Sequence, residues 1–207
     1  YLKDQKDWND PLFLCDPSGY PRTGGGNSLL RMVQTPDEVL QFFERDHFWR
    51  DLWTDGRKLP GDTAKPRWYG YSVAHWEGDT LVVESNRYDE RTWLDLNGSI
   101  HSDQMRLVER YKVLDPDHLE FTMTLTDPKA YTGPWSSGKP QMMERLENSD
   151  GVSANTWGKR PDGKQYGDIR EDSCVYSYEH SFWEVDNPLG LGNNFGNAVT
   201  GADKNKK

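Results

Sequence analysis

The sequence has no long hydrophobic run. None of its 207 residues belongs to a stretch of about eighteen consecutive apolar residues, which is the length that an α-helix needs to cross a bilayer. We therefore expect no membrane-spanning helix. Hydrophobic residues make up only 34% of the chain, and the mean hydropathy is -0.96. Few aliphatic side chains are thus available to build a core.

Positive charge is also in short supply. The 25 Lys and Arg residues against 34 Asp and Glu residues give a formal net charge of -9, which repels nucleic-acid phosphates and anionic lipid. We expect neither nucleic acid nor a membrane surface as a partner. Phosphate-binding loops and dinucleotide fingerprints are absent, and no His or Cys lies at a metal-ligand spacing. The sequence therefore predicts no cofactor and no metal site.

Cysteine is scarce, with Cys15 and Cys174 far apart and outside any CxxC pattern. That spacing argues against zinc. Two alternatives remain open from the residues, namely two free buried thiols or one long-range disulfide of an exported protein. The sequence begins at Tyr1 without an initiator Met or an apolar leader, which we expect either of a processed, periplasmic or secreted protein or of a trimmed chain.

Aromatic residues are abundant instead. The chain has 9 Trp, 10 Tyr and 7 Phe, and each buried ring removes about 150–250 Å² from water, so we expect a core built largely from rings. No linker or internal repeat divides the sequence, which predicts a single domain. We divide it into an N-terminal extension (1–27), a core (28–147) and a C-terminal part (148–207) with an insertion, a last strand or short helix, and a loose tail.

Short strand-like runs alternate with turn-forming residues along the core. This pattern is typical of an antiparallel meander and argues against βαβ units. We predict an all-β fold in which residues 28–130 form one twisted antiparallel sheet that closes into a lipocalin-like, or calycin-like, β-barrel. The strand-like runs are 28–34, 67–76, 80–85, 105–114 and 119–127.

Residues 35–53 fit two structures. Thr35 is a plausible N-cap with Pro36 at the first helical position, which favours a helix. The same segment is rich in strand-favouring rings and ends at Asp55-Gly56, so a hairpin around residues 45–47 fits nearly as well.

Several motifs in order resemble a large family of exported bacterial proteins that are uncharacterised. They are CDPSGYPR, WTDGRKLP, PRWYGYSVAHWEGDTLVVES, DERTWLD, HSDQMRLVERY and LTDPKAYTGPW. The resemblance covers roughly residues 15–135 and the neighbourhood of Cys174. It implies an exported β-rich domain, a hairpin over residues 38–54 and a disulfide between Cys15 and Cys174. It implies no reaction.

Glu109 is the residue that breaks the alternation of its strand. In QMRLVERYKV its parity places a carboxylate on the apolar face beside Leu107 and Tyr111, where an unpaired charge costs several kcal/mol. Two interpretations follow. The carboxylate forms a structural ion pair with an arginine, for example Arg91 or Arg145, or it is a functional acid or base.

The turn after this strand suggests a neighbour for Glu109. A three-residue bulged loop would pair Glu109 with Leu125 and Tyr111 with Met123. Asp127 would then lie diagonally beside Glu109, about 7–8 Å away between Cα atoms. Two close carboxyl groups on an apolar face cannot both ionise cheaply, so we take Glu109 and Asp127 as candidate catalytic residues.

His101 shares the parity of Glu109, but about eight residues of straight strand separate the two by roughly 26 Å, which excludes a direct dyad. We place His101 at the barrel rim near Trp93 or Asp95, either as a proton carrier, and so a third candidate catalytic residue, or as a satisfied polar residue.

Two classes of function survive. In the first, a barrel pocket holds a small aromatic or sugar-like molecule while the acids move protons in an isomerisation, elimination or hydrolysis. In the second, a barrel of the same kind binds or interacts without chemistry. The sequence leaves open whether the protein is an enzyme, and a cation beside Glu109 would separate the two classes. The candidate ligand-binding rings are Trp68, Trp93, Tyr111 and Tyr131.

Overall fold

The computed structural model describes residues 10–11, 16–24, 29–44 and 47–145. The predictions for Cys15, for Cys174 and for the segment 148–207 lie outside these residues. No α-helix occurs in the part of the chain that is described, and the all-β prediction is therefore confirmed there. No helix in these same residues is long and apolar enough to cross a membrane.

Within the described residues, nine strands form a single sheet that curls into a half-barrel. The first eight lie in chain order across the sheet, and the ninth pairs with the seventh. The strands are β1 (Leu30–Gln34), β2 (Glu38–Phe43), β3 (Trp49–Trp53), β4 (Tyr71–Glu77), β5 (Thr80–Asn86), β6 (Arg106–Asp115), β7 (His118–Thr126), β8 (Trp135–Ser136) and β9 (Gln141–Glu144).

The prediction of a purely antiparallel sheet is wrong at one position. β3 and β4 run parallel and pair only through Leu52 with Ser72 and Trp53 with Val73. Residues 54–70 are a long irregular connection, rich in Gly and Pro, after which β4 begins beside the end of β3 and runs parallel to it. A parallel neighbour needs such a crossover, whereas a tight hairpin joins only antiparallel strands.

Residues 38–44 and 47–53 form a hairpin rather than a helix. Glu38 pairs with Trp53 and Phe42 with Trp49. Thr35 has the sequence features of a helix cap, but it lies in the turn between β1 and β2. Its hydroxyl accepts a hydrogen bond from the Glu38 N–H at 3.2 Å, and its own N–H donates to the Glu38 carbonyl at 2.8 Å. The same side chain satisfies N–H groups in a turn or at a helix start, so ring packing decides between the two structures.

The predicted register between β6 and β7 is wrong by two residues. Glu109 pairs with Met123 and Tyr111 with Phe121. The turn is a two-residue connection closed by Asp115 and His118, with an irregularity after Val113, rather than a three-residue loop. Because side chains alternate with a period of two, a shift of two residues keeps every side chain on its predicted face.

The interior of the half-barrel holds two apolar clusters. The first contains three buried tyrosines, and its members are Tyr20, Phe43, Tyr69, Tyr88, Met105, Leu107 and Leu125. The second is mostly aliphatic, with Val39, Leu52, Ala74, Leu81, Val83, Tyr111 and Phe121. Rings make up four of the seven residues in the first cluster but only two of the seven in the second, so the prediction of a core built largely from rings holds for the first cluster alone. Polar side chains also lie on the interior face, and they form the first candidate site.

Candidate functional site

A row of buried polar side chains crosses the interior face of the sheet. Five neighbouring strands, β2 to β6, contribute one residue each: Gln41, Arg50, Ser72, Ser85 and Glu109. Each occupies an inward-facing position in a strand whose other inward residues are largely apolar, as in the Val39, Gln41, Phe43 series of β2. We call these five residues the polar row.

Glu109 is completely buried and fully engaged as an acceptor. Arg50 donates to it twice, with Nη2 2.7 Å from Oε2 and Nη1 3.2 Å from Oε1. Two phenols donate to the same Oε1, Tyr20 at 2.5 Å and Tyr111 at 2.7 Å. Four hydrogen bonds from three residues therefore compensate the buried carboxylate, and one of the three residues is a permanent cation.

Arg50 joins the rest of the row. Its Nη1 donates to Gln41 Oε1 at 3.2 Å, and its Nη2 donates to the hydroxyls of Ser72 and Ser85 at 3.1 and 3.2 Å. The Tyr20 ring covers the guanidinium, with 4.0 Å between Cζ and the ring centroid, a cation–π contact. Only Arg50 Nε and Gln41 Nε2 in this row are buried without a hydrogen-bond partner.

The electrostatics of the row favour a fixed charge distribution. Burial is the largest single effect on the pKa of Arg50 and lowers it, but attraction to Glu109, Tyr20 and Tyr88, together with the hydrogen bond to Glu109, outweighs burial and holds the pKa well above its ordinary value. Burial, followed by repulsion from Glu109, raises the pKa of both Tyr20 and Tyr111. The arginine therefore stays charged and the two phenols stay neutral throughout the physiological range.

The segment 16–24 brings Tyr20 to the row from outside the sheet strands. Ser18 and Thr23 share a hydrogen bond of 2.6 Å between their hydroxyls, and Thr23 Oγ1 also lies 2.9 Å from Tyr69 Oη. Gly19 has φ +90°, and a Cβ there would lie 2.3 Å from Thr92 Cβ, so only glycine allows this close approach. Residues of the predicted N-terminal extension thus form part of the core.

Asp127 is buried but does not lie in the polar row. Its carboxylate accepts the Ser102 N–H at 2.6 Å and the Ser102 hydroxyl at 2.7 Å, and it also accepts the N–H groups of Lys129 and Ala130 at 3.2 Å. It therefore fixes the turn that follows β7 to the segment that precedes β6. The structure does not bring Asp127 and Glu109 together as a carboxyl pair, because Glu109 is opposite Met123.

His101 is buried in the irregular segment before β6. Its Nε2 lies 2.8 Å from Thr92 Oγ1 and its Nδ1 lies 3.1 Å from the Ser102 carbonyl oxygen. The ring meets Tyr88 edge-on at 6.3 Å between centroids. Its hydrogen-bond partner Thr92 is next in sequence to Trp93, whereas the Asp95 carboxylate accepts a hydrogen bond from the Ser99 hydroxyl. The contacts fit a satisfied polar residue better than a proton carrier.

A groove opens where β3 and the chain before β4 separate. Its volume is about 620 Å³, and it is half open to solvent. Aromatic and charged side chains dominate its walls, including Phe48, Trp49, Trp53, Trp68, Tyr69 and Tyr71. The groove exists because β3 and β4 pair at only two positions, which leaves the start of β3 apart from residues 65–71. We call it the β3/β4 groove.

The four predicted ligand-binding rings are not gathered in one place. Trp68 lines the β3/β4 groove, with the Arg91 guanidinium 4.0 Å from its ring centroid. Trp93 is buried, with Arg22 5.7 Å from its centroid. Tyr111 belongs to the second cluster, and the Tyr131 hydroxyl donates to the Ile100 carbonyl at 2.7 Å. Only Trp68 of the four lines the groove.

The cation beside Glu109 is neither of the arginines named from the sequence. Arg91 pairs with Asp89 at 2.7 Å, and Arg145 lies 3.7 Å from Asp117. Arg50 shares its parity with Leu52 in the run FWRDLW, so the alternation places it on the inner face in the same way that it places Glu109. That signal is present in the sequence once residues 49–53 are assigned to a strand.

No protein-family model matches the chain, and neither a curated protein nor a solved structure matches it.

Proposed function

We propose that the protein is a non-catalytic binding protein for a small ring-bearing molecule, aromatic or sugar-like, and that the β3/β4 groove is its binding site. One observation carries the proposal. Trp49 lies in the groove wall with 58% of its surface exposed, although exposing a large ring to water is unfavourable. Ligand sites are typically concave and lined by rings with a few polar groups.

The acid and base alternative receives less support from the same contacts. A general base must reach the proton that it removes, whereas Glu109 is 0% exposed and its carboxylate is occupied by Arg50 and two phenols. Asp127 is 1% exposed and holds a turn. His101 is also buried. A cation beside Glu109 is the feature expected to separate a catalytic protein from a binding protein. Arg50 is that cation, and its presence favours binding without chemistry.

Export to the periplasm or the medium is part of the proposal. It is supported by the resemblance of the motifs in residues 15–135 to exported bacterial proteins, and by the negative net charge of -9, which suits neither nucleic acid nor anionic lipid. Further closure of the half-barrel towards a lipocalin-like barrel belongs to the same proposal.

Isothermal titration with a panel of ring compounds tests the binding site. The panel contains 2-naphthoate, 2-naphthamide, 2-naphthylmethylamine and phenyl β-glucoside, so that it varies both the ring system and the charge. We expect at least one compound to bind the wild type. A ring–ring contact is worth about 0.5–1.5 kcal/mol beyond the area that it buries, so Trp49→Ala should weaken that binding by about tenfold.

Trp135→Ala is the matched control, because Trp135 is 52% exposed and does not line the groove. It should leave the affinity unchanged, and thermal melts should show both variants folded. Failure of every compound to bind, or equal affinity of Trp49→Ala and the wild type, would refute the groove as the ligand site.

A further inference from the structure

The charges around the β3/β4 groove do not follow the charge of the whole chain. The protein carries a formal charge of -9, yet the lining residues include four cations, Arg50, Lys65, Arg67 and Arg91, and only two anions, Asp51 and Asp89. A cleft lined by an excess of one sign of charge raises the local concentration of molecules of the opposite sign, so this groove favours negative ligands.

Two of the four cations are already neutralised within the protein. Arg50 is paired with Glu109 at 2.7 Å, and Arg91 is paired with Asp89, with Nη2 2.7 Å from Oδ2 and Nε 2.9 Å from Oδ1. These two ion pairs leave Arg50 and Arg91 with little free charge to offer a ligand.

Lys65 and Arg67 remain available. Both are exposed, and no carboxylate in the described part of the chain forms an ion pair with either of them. Among the described residues that line the groove, Asp51 alone opposes them, so these residues keep a surplus of one positive charge after internal pairing. A ligand that brought one negative charge would balance this surplus.

The position of Arg67 suits a ligand with an acidic group beside a ring. Its guanidinium lies over the Tyr71 ring, with 4.7 Å between Cζ and the ring centroid, which holds the flexible side chain against the groove wall. A guanidinium in such a position still presents N–H donors in a planar fork that matches a carboxylate. Lys65, two residues away, adds a second donor of the same sign.

We infer that the ligand of the β3/β4 groove is an organic anion, a flat ring that carries a carboxylate, with the ring against Trp49 and the carboxylate bound by Arg67 and Lys65. The inference rests on the proposed binding function and adds the charge of the ligand to it. Neutral and cationic molecules with the same ring are the competitors that the groove discriminates against.

The experiment compares three naphthalene compounds of different charge by isothermal titration. Wild type should bind 2-naphthoate about tenfold more tightly than 2-naphthamide, and 2-naphthylmethylamine should bind weakest. Arg67→Gln should weaken naphthoate by about three- to tenfold while leaving naphthamide unchanged. Raising the salt concentration should reduce naphthoate binding alone, because salt screens the exposed charges.

Arg106→Gln is the matched control, since Arg106 is also an exposed arginine but does not line the groove. It removes the same charge, so it should leave the affinity for naphthoate unchanged. Equal affinity of the wild type for naphthoate and naphthamide, or equal losses of naphthoate affinity in Arg67→Gln and Arg106→Gln, would refute the inference that the ligand is an anion. Either result would leave the proposed binding groove unaffected. Absence of binding by all three compounds and by phenyl β-glucoside would defeat the groove, and the inference with it.

Discussion

Replacing Glu109 by glutamine changes one buried charge and almost no volume. In Glu109→Gln the amide oxygen can occupy the position of Oε1 and still accept from Tyr20 and Tyr111, which both donate to that atom. The amide nitrogen then takes the position of Oε2, which is 2.7 Å from Arg50 Nη2. Two donors face each other there, and the Arg50 charge loses its counter-ion.

The expected cost is large because neither partner reaches water. The side chains of Arg50 and Glu109 are 1% and 0% exposed, and removal of one partner from a buried pair costs about 3–5 kcal/mol. For a domain of this size, each kcal/mol lowers the melting temperature by about 2–4 °C. We therefore expect Glu109→Gln to melt roughly 6–20 °C below the wild type, with its affinity for groove ligands retained wherever it is folded.

Thermal melts followed by circular dichroism, beside the titration with naphthoate, measure both quantities. Glu77→Gln is the control, since Glu77 pairs with Arg110 at 2.8 Å but both side chains are close to half exposed. Exposed ion pairs contribute little, so its melting temperature should stay close to that of the wild type. A Glu109→Gln protein that is as stable as the wild type but no longer binds would refute the structural role and restore the functional acid.

Two further predictions concern the other buried polar groups. Asp127→Ala should lower the free energy of unfolding by about 1–3 kcal/mol, because the N–H groups and the hydroxyl that donate to Asp127 lose their partner; a denaturant titration measures this loss. Ligand affinity should not change, and a loss of binding in the folded variant would contradict a purely structural role for Asp127. Burial raises the pKa of Tyr20, Tyr88 and Tyr111, so their contribution to stability is complete below the ordinary phenol pKa of about 10 and falls at higher pH by about 1.4 kcal/mol per pH unit for each. Phenolate absorbance during an alkaline titration should show these three tyrosines ionising only with unfolding, and their ionisation in the folded protein would contradict their burial.

Much of the sheet could be predicted because its strands are amphipathic with a period of two. Glu109 and Tyr111 were assigned to the correct face from alternation alone, and the same rule places Arg50 beside them once β3 is recognised. The exact pairing of β6 with β7 could not be predicted in this way, because a shift of two residues satisfies the alternation equally well.

The parallel pairing of β3 with β4, and the groove that it creates, depend on the path of residues 54–70. No periodic pattern records that path, since a connection without regular structure is positioned by contacts made elsewhere. Tyr20 was missed for a similar reason. Its contact with Glu109 links a turn outside the strands to a residue 89 positions later, and local propensity carries no information about such a partner.

The separation between Tyr20 and Glu109 also affects the order of events during synthesis. At about 5–20 residues per second, a ribosome adds Glu109 roughly 4–18 s after Tyr20. Arg50 also precedes Glu109, by 59 positions. Until β6 has been synthesised, Arg50 in β3 has no Glu109 carboxylate to pair with, and Tyr20 has no Glu109 carboxylate to donate to. The contacts of Tyr20 and Arg50 with Glu109 therefore form only after that interval, during which both side chains are accessible to a chaperone that binds unfolded chains.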